Sequence, residues 1–392
     1  MTRALVVALL LVLCSPHAGA AQPAVATTIK VGGIADVELF GGTEAGARAR
    51  FDAVNAAGGI DGRRIEFLGV ADDRRDASAT TAEVRRLVDD VGVDAVVPIV
   101  TSRFADDATL SRARIPAFGW GIAGGFCGNR WAFAITGCLA PLLPREVPTI
   151  WGELVAAVAR QHGFRHPTAA IVTEAAAVPR SLVELRAMAR AAGLRVTYAK
   201  AALGTGESAA AGVDAIADAV MAAGTRPPSV VFSVAGFTAV GALQDALRAR
   251  SYPGVMTNLV QYSPVLVIAA RDTYVLTQFA TPESAPQNAA MREILAELAT
   301  VTTDPITPSM LAGWLAADLY VRALRRAGPG ASPSRVARVA ARLRFRVPDT
   351  VGSTRFPEAF VRPTSCGQLV TSDATVYTIA APYRCADYVS VG

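Results

Sequence analysis

The chain alternates short apolar runs with stretches of helical periodicity. IKVGGIA (29–35) is apolar, rich in β-branched residues and closed by Asp36, so a strand is expected there. Thr43 opens a run in which Ala47, Phe51 and Val54 recur on one helical face, and the glycines of NAAGGIDG stop it. RIEFLGVADD (64–73) is the next strand, and Ala79 to Val91 the next helix. DAVVPIV (94–100) is a continuous apolar strand, Phe104 to Ala113 a short helix, and IPAFGW (115–120) a fourth strand. Strands that are apolar on both sides and alternate with helices predict a parallel sheet covered on both faces.

The pattern then restarts. LAPLLPREVPT (139–149) is a proline-rich connection, followed by a helix from Ile150 to His162. AAIVTE, RVTYAKA and SVVFSVA read as strands separated by helices Arg180–Ala192 and Ala209–Ala223. Phe237 to Arg250 is another helix and GVMTNLV (254–260) another strand. A third section holds the strand YVLTQFA (274–280), the helix Asn288–Ala299 and a long helix from Pro308 to Ala327. Thr307 caps that last helix and Gly328 ends it. The tail PYRCADYVSVG is β-like. The expected fold class is α/β, with two Rossmann-like, doubly wound lobes.

The start of the chain changes the setting. Arg3, the apolar run Ala4–Leu13 and Ala18-Gly19-Ala20 form a secretory leader (1–20), too short to span a membrane, which takes about 20 apolar residues. A lipid anchor on Cys14 is the alternative, disfavoured by Leu13 before it. The expected location is therefore exported, periplasmic or at the cell surface. The net charge of +5 comes from arginines interspersed with acids, a helix-surface pattern and not a nucleic-acid footprint. No nucleic-acid partner is expected.

Beyond Cys14, four cysteines remain, and an even number in an exported chain favours disulfides. The simplest pairing is local, Cys127 with Cys138 and Cys366 with Cys385, among three possibilities. A loop of about a dozen residues closed this way adds about 3 kcal/mol. His162 and His166 read as cap or solvent residues, not metal ligands. No phosphate-cradling G-x-x-x-x-G-K-[ST], no H-E-x-x-H and no G-x-S-x-G occurs, and the first strand turns through GGIADVELFGG without the G-x-G-x-x-G that close approach to a pyrophosphate needs. Binding rather than catalysis is expected, without cofactor or metal.

Several stretches together resemble the branched-chain amino-acid-binding family of ABC-transporter solute receptors, which are type I periplasmic binding proteins. They are IKVGGIA, Phe40-Gly41, the turn Asn55-Ala56-Ala57-Gly58-Gly59-Ile60-Asp61-Gly62, then Ile65-Glu66-Phe67, Ala71 to Asp76, and Arg114 to Phe118. The resemblance runs in order over about residues 29–330. It implies two lobes joined by three crossings, a ligand in the cleft between them, and docking of the closed form on a membrane permease. The lobes are expected over 28–140 plus 264–328 and over 141–263 plus 329–392. The crossings are expected near Cys138–Pro148, Tyr262–Leu266 and Gly328–Pro333. A monomer is expected.

The same resemblance assigns site positions. Amino-acid receptors of this family hold the ligand carboxylate with hydroxyls and backbone N–H groups, and its ammonium with an acid. Thr101 or Ser102 stands at the first hydroxyl position. Trp120-Gly121 stands where the second hydroxyl-rich turn would be, and Phe40 is the cover aromatic. Thr173 and Glu174 open the segment whose tyrosine place is Val178. A second tyrosine place falls at Gly236-Phe237, and the ammonium-pairing acid falls near Leu259–Gln261, where no acid stands.

A buried ammonium without a carboxylate costs several kcal/mol, so an α-amino acid fits poorly unless Glu174 or Asp36 substitutes. A hydrophobic or aromatic ligand fits better against Phe40, Trp120, Val178 and Phe237. Burying about 150 Å² of it is worth about 4 kcal/mol. Thr101, Ser102 and the start of the Phe104 helix offer hydroxyls and free N–H groups to a carboxylate. Arg103 either adds a charge or faces solvent. Phe40 and Trp120 have core packing as their alternative role, as do Trp131 and Phe133. The expectation is an extracytoplasmic receptor for a small hydrophobic or aromatic, carboxylate-bearing ligand. The alternatives are a branched-chain amino-acid receptor and the ligand module of a membrane sensor.

Overall fold

The computed structural model describes residues 28–105, 108–139, 145–175 and 179–391. The leader with Cys14, and Val178, lie outside the described residues. The first part carries β1 (Ile29–Ala35), α1 (Thr43–Ala56), β2 (Ile65–Asp72), α2 (Ala77–Arg85), β3 (Ala95–Val100), α3 (Ala108–Ala113), β4 (Ala117–Gly119) and β5 (Ala132–Ala134). Its strands form one parallel sheet in the order β2-β1-β3-β4-β5. The central β3 is buried at every position, and the edge strand β2 only at its first. Their sequences show the reason, since β3 is wholly apolar and β2 places Glu66 among apolar neighbours. Asn55 accounts for the glycine turn after α1: its side chain donates to the Ile65 carbonyl and accepts from the Ile65 amide, both at 2.8 Å. The helix end is thereby fastened to β2.

The second part runs β6 (Glu146–Pro148), α4 (Ile150–Gln161), β7 (Thr168–Glu174), α5 (Pro179–Ala191), β8 (Arg195–Leu203), α6 (Val213–Met221), β9 (Val230–Val234), α7 (Phe237–Ala249), β10 (Val255–Asn258) and β11 (Thr273–Thr277). There follow α8 (Ala289–Leu298), α9 (Pro308–Ala327), α10 (Pro333–Ala340), β12 (Arg344–Val347), β13 (Val351–Arg355), β14 (Cys366–Ser372), β15 (Tyr377–Cys385) and β16 (Tyr388–Ser390). The second sheet has the order β15-β14-β11-β10-β9-β7-β8. β8 through β11 are parallel, and β14 and β15 extend the sheet antiparallel. The expected α/β architecture of two wound sheets is present, and β16 pairs antiparallel with β6 beside the second core.

The expected lobe boundaries need correction at two places. The expected boundaries put β11 with the first lobe, whereas it pairs with β10 in the second sheet. They put the residues from α10 to Phe360 with the second lobe, whereas Val336, Ala340, Phe345, Val351 and Phe360 are buried in the first core. The second and third crossings therefore lie between β11 and α8 and between Phe360 and β14, not near Tyr262–Leu266 and Gly328–Pro333. A short apolar strand carries no mark of the sheet it joins, because both sheets offer equally apolar neighbours.

Helix α9 is the spine of the first core, lying against α1 and the sheet. The two helices approach at glycines. A Cβ on Gly46 would stand 1.9 Å from the Met310 carbonyl oxygen, and one on Gly313 would stand 2.2 Å from the Thr43 oxygen. Alanine at Gly46 gains about 1 kcal/mol of helix propensity. It must also push the helices apart, and such overpacking costs about 1–3 kcal/mol on top of lost contacts. Gly46→Ala is therefore expected to lower the urea midpoint of unfolding. An unchanged midpoint would mean that the helix pair slides freely.

Candidate functional site

β5 is parallel to all of the first sheet, and its carboxyl end leads into the first crossing. β11 is parallel to β7 through β10, and its carboxyl end leads into the second crossing. Both sheets therefore aim the carboxyl ends of their parallel strands at the same junction. In open α/β sheets that is where ligands bind.

On the first lobe, the turn after β1 is built around Asp36. Its side chain is buried, accepts from the Leu39 amide at 2.9 Å and meets Arg75 Nε at 3.1 Å. With both oxygens occupied, Asp36 is a turn-former and not a vacant ammonium partner. The turn leaves Val37 and Leu39 exposed and Phe40 half-buried. Phe40 meets Trp120 edge-on at 6.0 Å, and Trp120 packs on Phe279 at 5.3 Å. Trp120 Nε1 donates to Gln278 Oε1 at 2.6 Å. Trp120 is thus half wall and half hinge, tying β4 to the second crossing. Its apolar-run context announced an aromatic, whereas Gln278 had no sequence signal beyond a polar residue ending a strand.

Thr101 is fully buried, and its hydroxyl accepts the Arg103 amide at 3.0 Å. Ser102 and Arg103 are exposed. The hydroxyl left open at this turn is therefore that of Ser102. Gly121 is buried because a Cβ there would stand 1.8 Å from the Gly137 oxygen, so its role is to let the ends of β4 and β5 meet.

On the second lobe, Thr173 is buried and Glu174 half-buried. Glu174 Oε1 accepts the Gly236 amide at 2.7 Å, joining the ends of β7 and β9. Phe237, first residue of α7, is 47% exposed. Gln261 does not line this surface. It is buried, and its Oε1 accepts from Asn258 and Gln244 at 2.9 Å each, so it belongs to a buried amide cluster. The residue that does emerge there is Val260, with Val265 and Ile268 beyond it. Next to them Tyr262 donates to Glu283 Oε2 at 2.8 Å and packs on Tyr377 at 4.8 Å. Burial, then the Glu283 charge, pushes the Tyr262 hydroxyl well above its usual range, so it stays a donor. Trp120 and Tyr262 thus hold the second crossing from opposite lobes.

The cysteines pair locally, Cys127 with Cys138 and Cys366 with Cys385. The first bridge lies under the third crossing, where Gly128 and Cys138 donate to the Phe360 and Ala359 carbonyls. Phe133 inside that loop is core, stacked on Phe118 at 5.2 Å. His162 is paired with the Tyr274 hydroxyl at 2.7 Å.

Comparison with known proteins agrees with this architecture. The periplasmic binding protein family model matches residues 28–375, and the chain belongs to that family. No curated protein matches it in sequence. Solved structures do. An ABC transporter substrate-binding protein of Aeropyrum pernix is 15% identical, with a TM-score of 0.70 over 92% of this chain and 96% of that one. The branched-chain amino acid transporter substrate-binding protein of Streptococcus pneumoniae, solved with isoleucine, is 16% identical, with a TM-score of 0.63 over 91% and 100%. An ABC transporter solute-binding protein of R. palustris, solved with 4-hydroxybenzoate, is 15% identical, with a TM-score of 0.63 over 93% and 98%. At such identities the likeness is one of fold.

Proposed function

We propose that this protein is the exported receptor of an ABC uptake system and binds a small hydrophobic or aromatic carboxylic acid between its lobes. The observation that carries this reading is the chemistry of the facing strand ends. Val37, Leu39 and Phe237 stand exposed there, with Phe40 and Trp120 half-buried beside them. Asp36, by contrast, is engaged internally with both oxygens, and Glu174 with one. A ligand ammonium would find little uncommitted charge, whereas an apolar body would remove these side chains from water. For the carboxylate, Ser102 and Arg103 offer an open hydroxyl and a guanidinium at the end of β3. The proposed site is thus Phe40, Ser102, Trp120, Glu174 and Phe237, with Thr101, Gly121 and Thr173 as buried supports. The neighbour solved with 4-hydroxybenzoate indicates that the fold accommodates an aromatic acid. A membrane permease is the proposed partner, and the monomer the proposed state. Binding and not catalysis is the proposed activity.

A thermal-shift panel on the oxidised protein tests this. Aromatic and fatty acids are compared with leucine, isoleucine and valine. A ligand at 100 times its Kd stabilises by about 2.7 kcal/mol, a readily seen shift. Stabilisation by apolar acids alone is the expected result. Stabilisation by leucine would replace this reading with that of a branched-chain amino-acid receptor, with Glu174 as the ammonium partner.

A further inference from the structure

The stretch from Leu319 to Pro357 carries nine arginines and one acid, Asp349. That is +8 in a chain whose total is +5, so everything else sums to −3. All nine arginines are exposed. They stand on three elements that share the first core: the last turns of α9, the helix α10 and the β12–β13 hairpin.

Each element turns its arginines outward by its own periodicity. On α10, Val336, Ala337 and Ala340 are buried, and Arg335 and Arg338 face out, with Arg342 one turn further. On β12, Phe345 and Val347 are buried and Arg344 and Arg346 exposed. Arg322 of α9 joins the two, donating to the Arg346 carbonyl at 2.8 Å and lying 5.4 Å from the Phe345 ring centre.

Anions to match this charge are missing among the described residues. Arg322 pairs with Asp318 at 2.7 Å, and Arg344 donates to the Ser353 hydroxyl. The other seven arginines enter no ion pair among the described residues. Some exposed arginines elsewhere have one, as Arg86 has Glu83 and Arg112 has Asp89, and others do not; what sets this stretch apart is nine arginines against a single acid. Arg344 moreover stands directly opposite Arg355 across the hairpin. Like charges so placed destabilise a sheet unless an anion lies between or above them.

We propose that this arginine field docks on an anionic phospholipid surface. Protein partners are normally seated on apolar or aromatic anchors. Among the exposed large apolar side chains, none falls between residues 319 and 357. A layer of phosphates needs no such anchor, and guanidinium groups grip phosphate oxygens two at a time. The placement suits a receptor. α9 begins beside the cleft, where Thr307 and Ser309 donate to the Gly41 carbonyl, and its 20 residues carry the field about 30 Å away. Lipid contact there leaves the cleft open.

The test is co-sedimentation with vesicles of phosphatidylglycerol mixed with phosphatidylcholine, against phosphatidylcholine alone. The wild-type protein is expected to pellet with the anionic vesicles only, and to be released at about 0.5 M salt, where screening is nearly complete. The triple variant Arg335→Glu, Arg338→Glu, Arg342→Glu is expected to bind roughly 100-fold more weakly or worse. The charge-matched control Arg64→Glu, Arg165→Glu, Arg226→Glu, at exposed positions elsewhere, is expected to bind as the wild type does. Should the α10 triple fail to fold, Arg344→Gln, Arg346→Gln, Arg355→Gln removes the like-charge pair and keeps the proposal testable. Equal loss in patch and control variants would overturn it, as would failure of the wild type to pellet at low salt. Binding to polyglutamate but not to vesicles would overturn it in favour of an acidic protein partner.

Discussion

Trp120→Ala is expected to weaken binding of whichever apolar acid stabilises the protein by about 30-fold or more. Truncating a central aromatic anchor typically costs at least about 2 kcal/mol. Here the indole does two things. It forms a wall with Phe40 and Phe279, and it donates to Gln278 of the second crossing. Trp120→Phe keeps a ring and removes the donor, so it should lose only about fivefold, near the net worth of one hydrogen bond of about 1 kcal/mol. Phe40→Ala has no hydrogen bond to lose and should resemble Trp120→Ala through lost apolar contact alone. Titration calorimetry on variants whose circular dichroism is native separates these effects. Wild-type affinity in both alanine variants would remove the aromatic wall from the site.

Arg50→Met is expected to destabilise the first lobe by about 2–3 kcal/mol, because buried Asp318 keeps Arg322 but loses its other guanidinium partner. Asp318, on α9, is 1% exposed and held between Arg50 at 2.9 Å and Arg322 at 2.7 Å. Arg50 also meets Glu297 at 3.1 Å and lies 5.1 Å from the Trp314 ring centre. Arg50→Met with Asp318→Leu should recover most of the loss, since an apolar pair of similar size replaces a buried ion pair at little cost.

The variant also has a pH signature. Burial raises the Glu297 carboxyl above its usual value, while Arg50 pulls it down. A raised acid binds its proton more tightly when folded, so its stabilising contribution is greatest in acid and is lost as pH rises through the folded value. Without Arg50 that loss grows, so the deficit should be smaller near pH 5 than near pH 7.5. Chemical unfolding at both pH values measures it, and a deficit independent of pH would assign the effect to packing alone.

Local patterns made most of the elements readable. The spacing of Leu311, Leu315 and Leu319, with Thr307 before and Gly328 after, defines α9 to the residue. The glycine turn beginning at Asn55 is equally legible, because its asparagine and glycines each meet a local backbone demand. β14 was not legible, although it is almost entirely buried, because CGQLVTS mixes small, polar and apolar residues. What buries it is pairing with β11 and β15, a contact between segments about a hundred residues apart in the first case.

The site divides in the same way. In the proposed site, Phe40, Trp120 and Phe237 were legible as candidates because aromatics at the ends of strands stand out, and the family resemblance gave their neighbours an order. Gln261 was misjudged because a glutamine in a turn reads alike whether it faces a cleft or closes a buried amide cluster. Cysteine parity in an exported chain left local pairing as the simplest choice, and both local bridges are present.

Alternation of strand and helix, cap residues, cysteine parity and the lack of catalytic motifs are thus determined by the chain itself, since each follows from a few neighbouring residues. Which sheet receives β11, where the lobes are joined, which acids are already occupied and which arginines are left unmatched were decided only by tertiary structure. Each of those depends on what lies across a gap in space, and no local stretch of sequence encodes it.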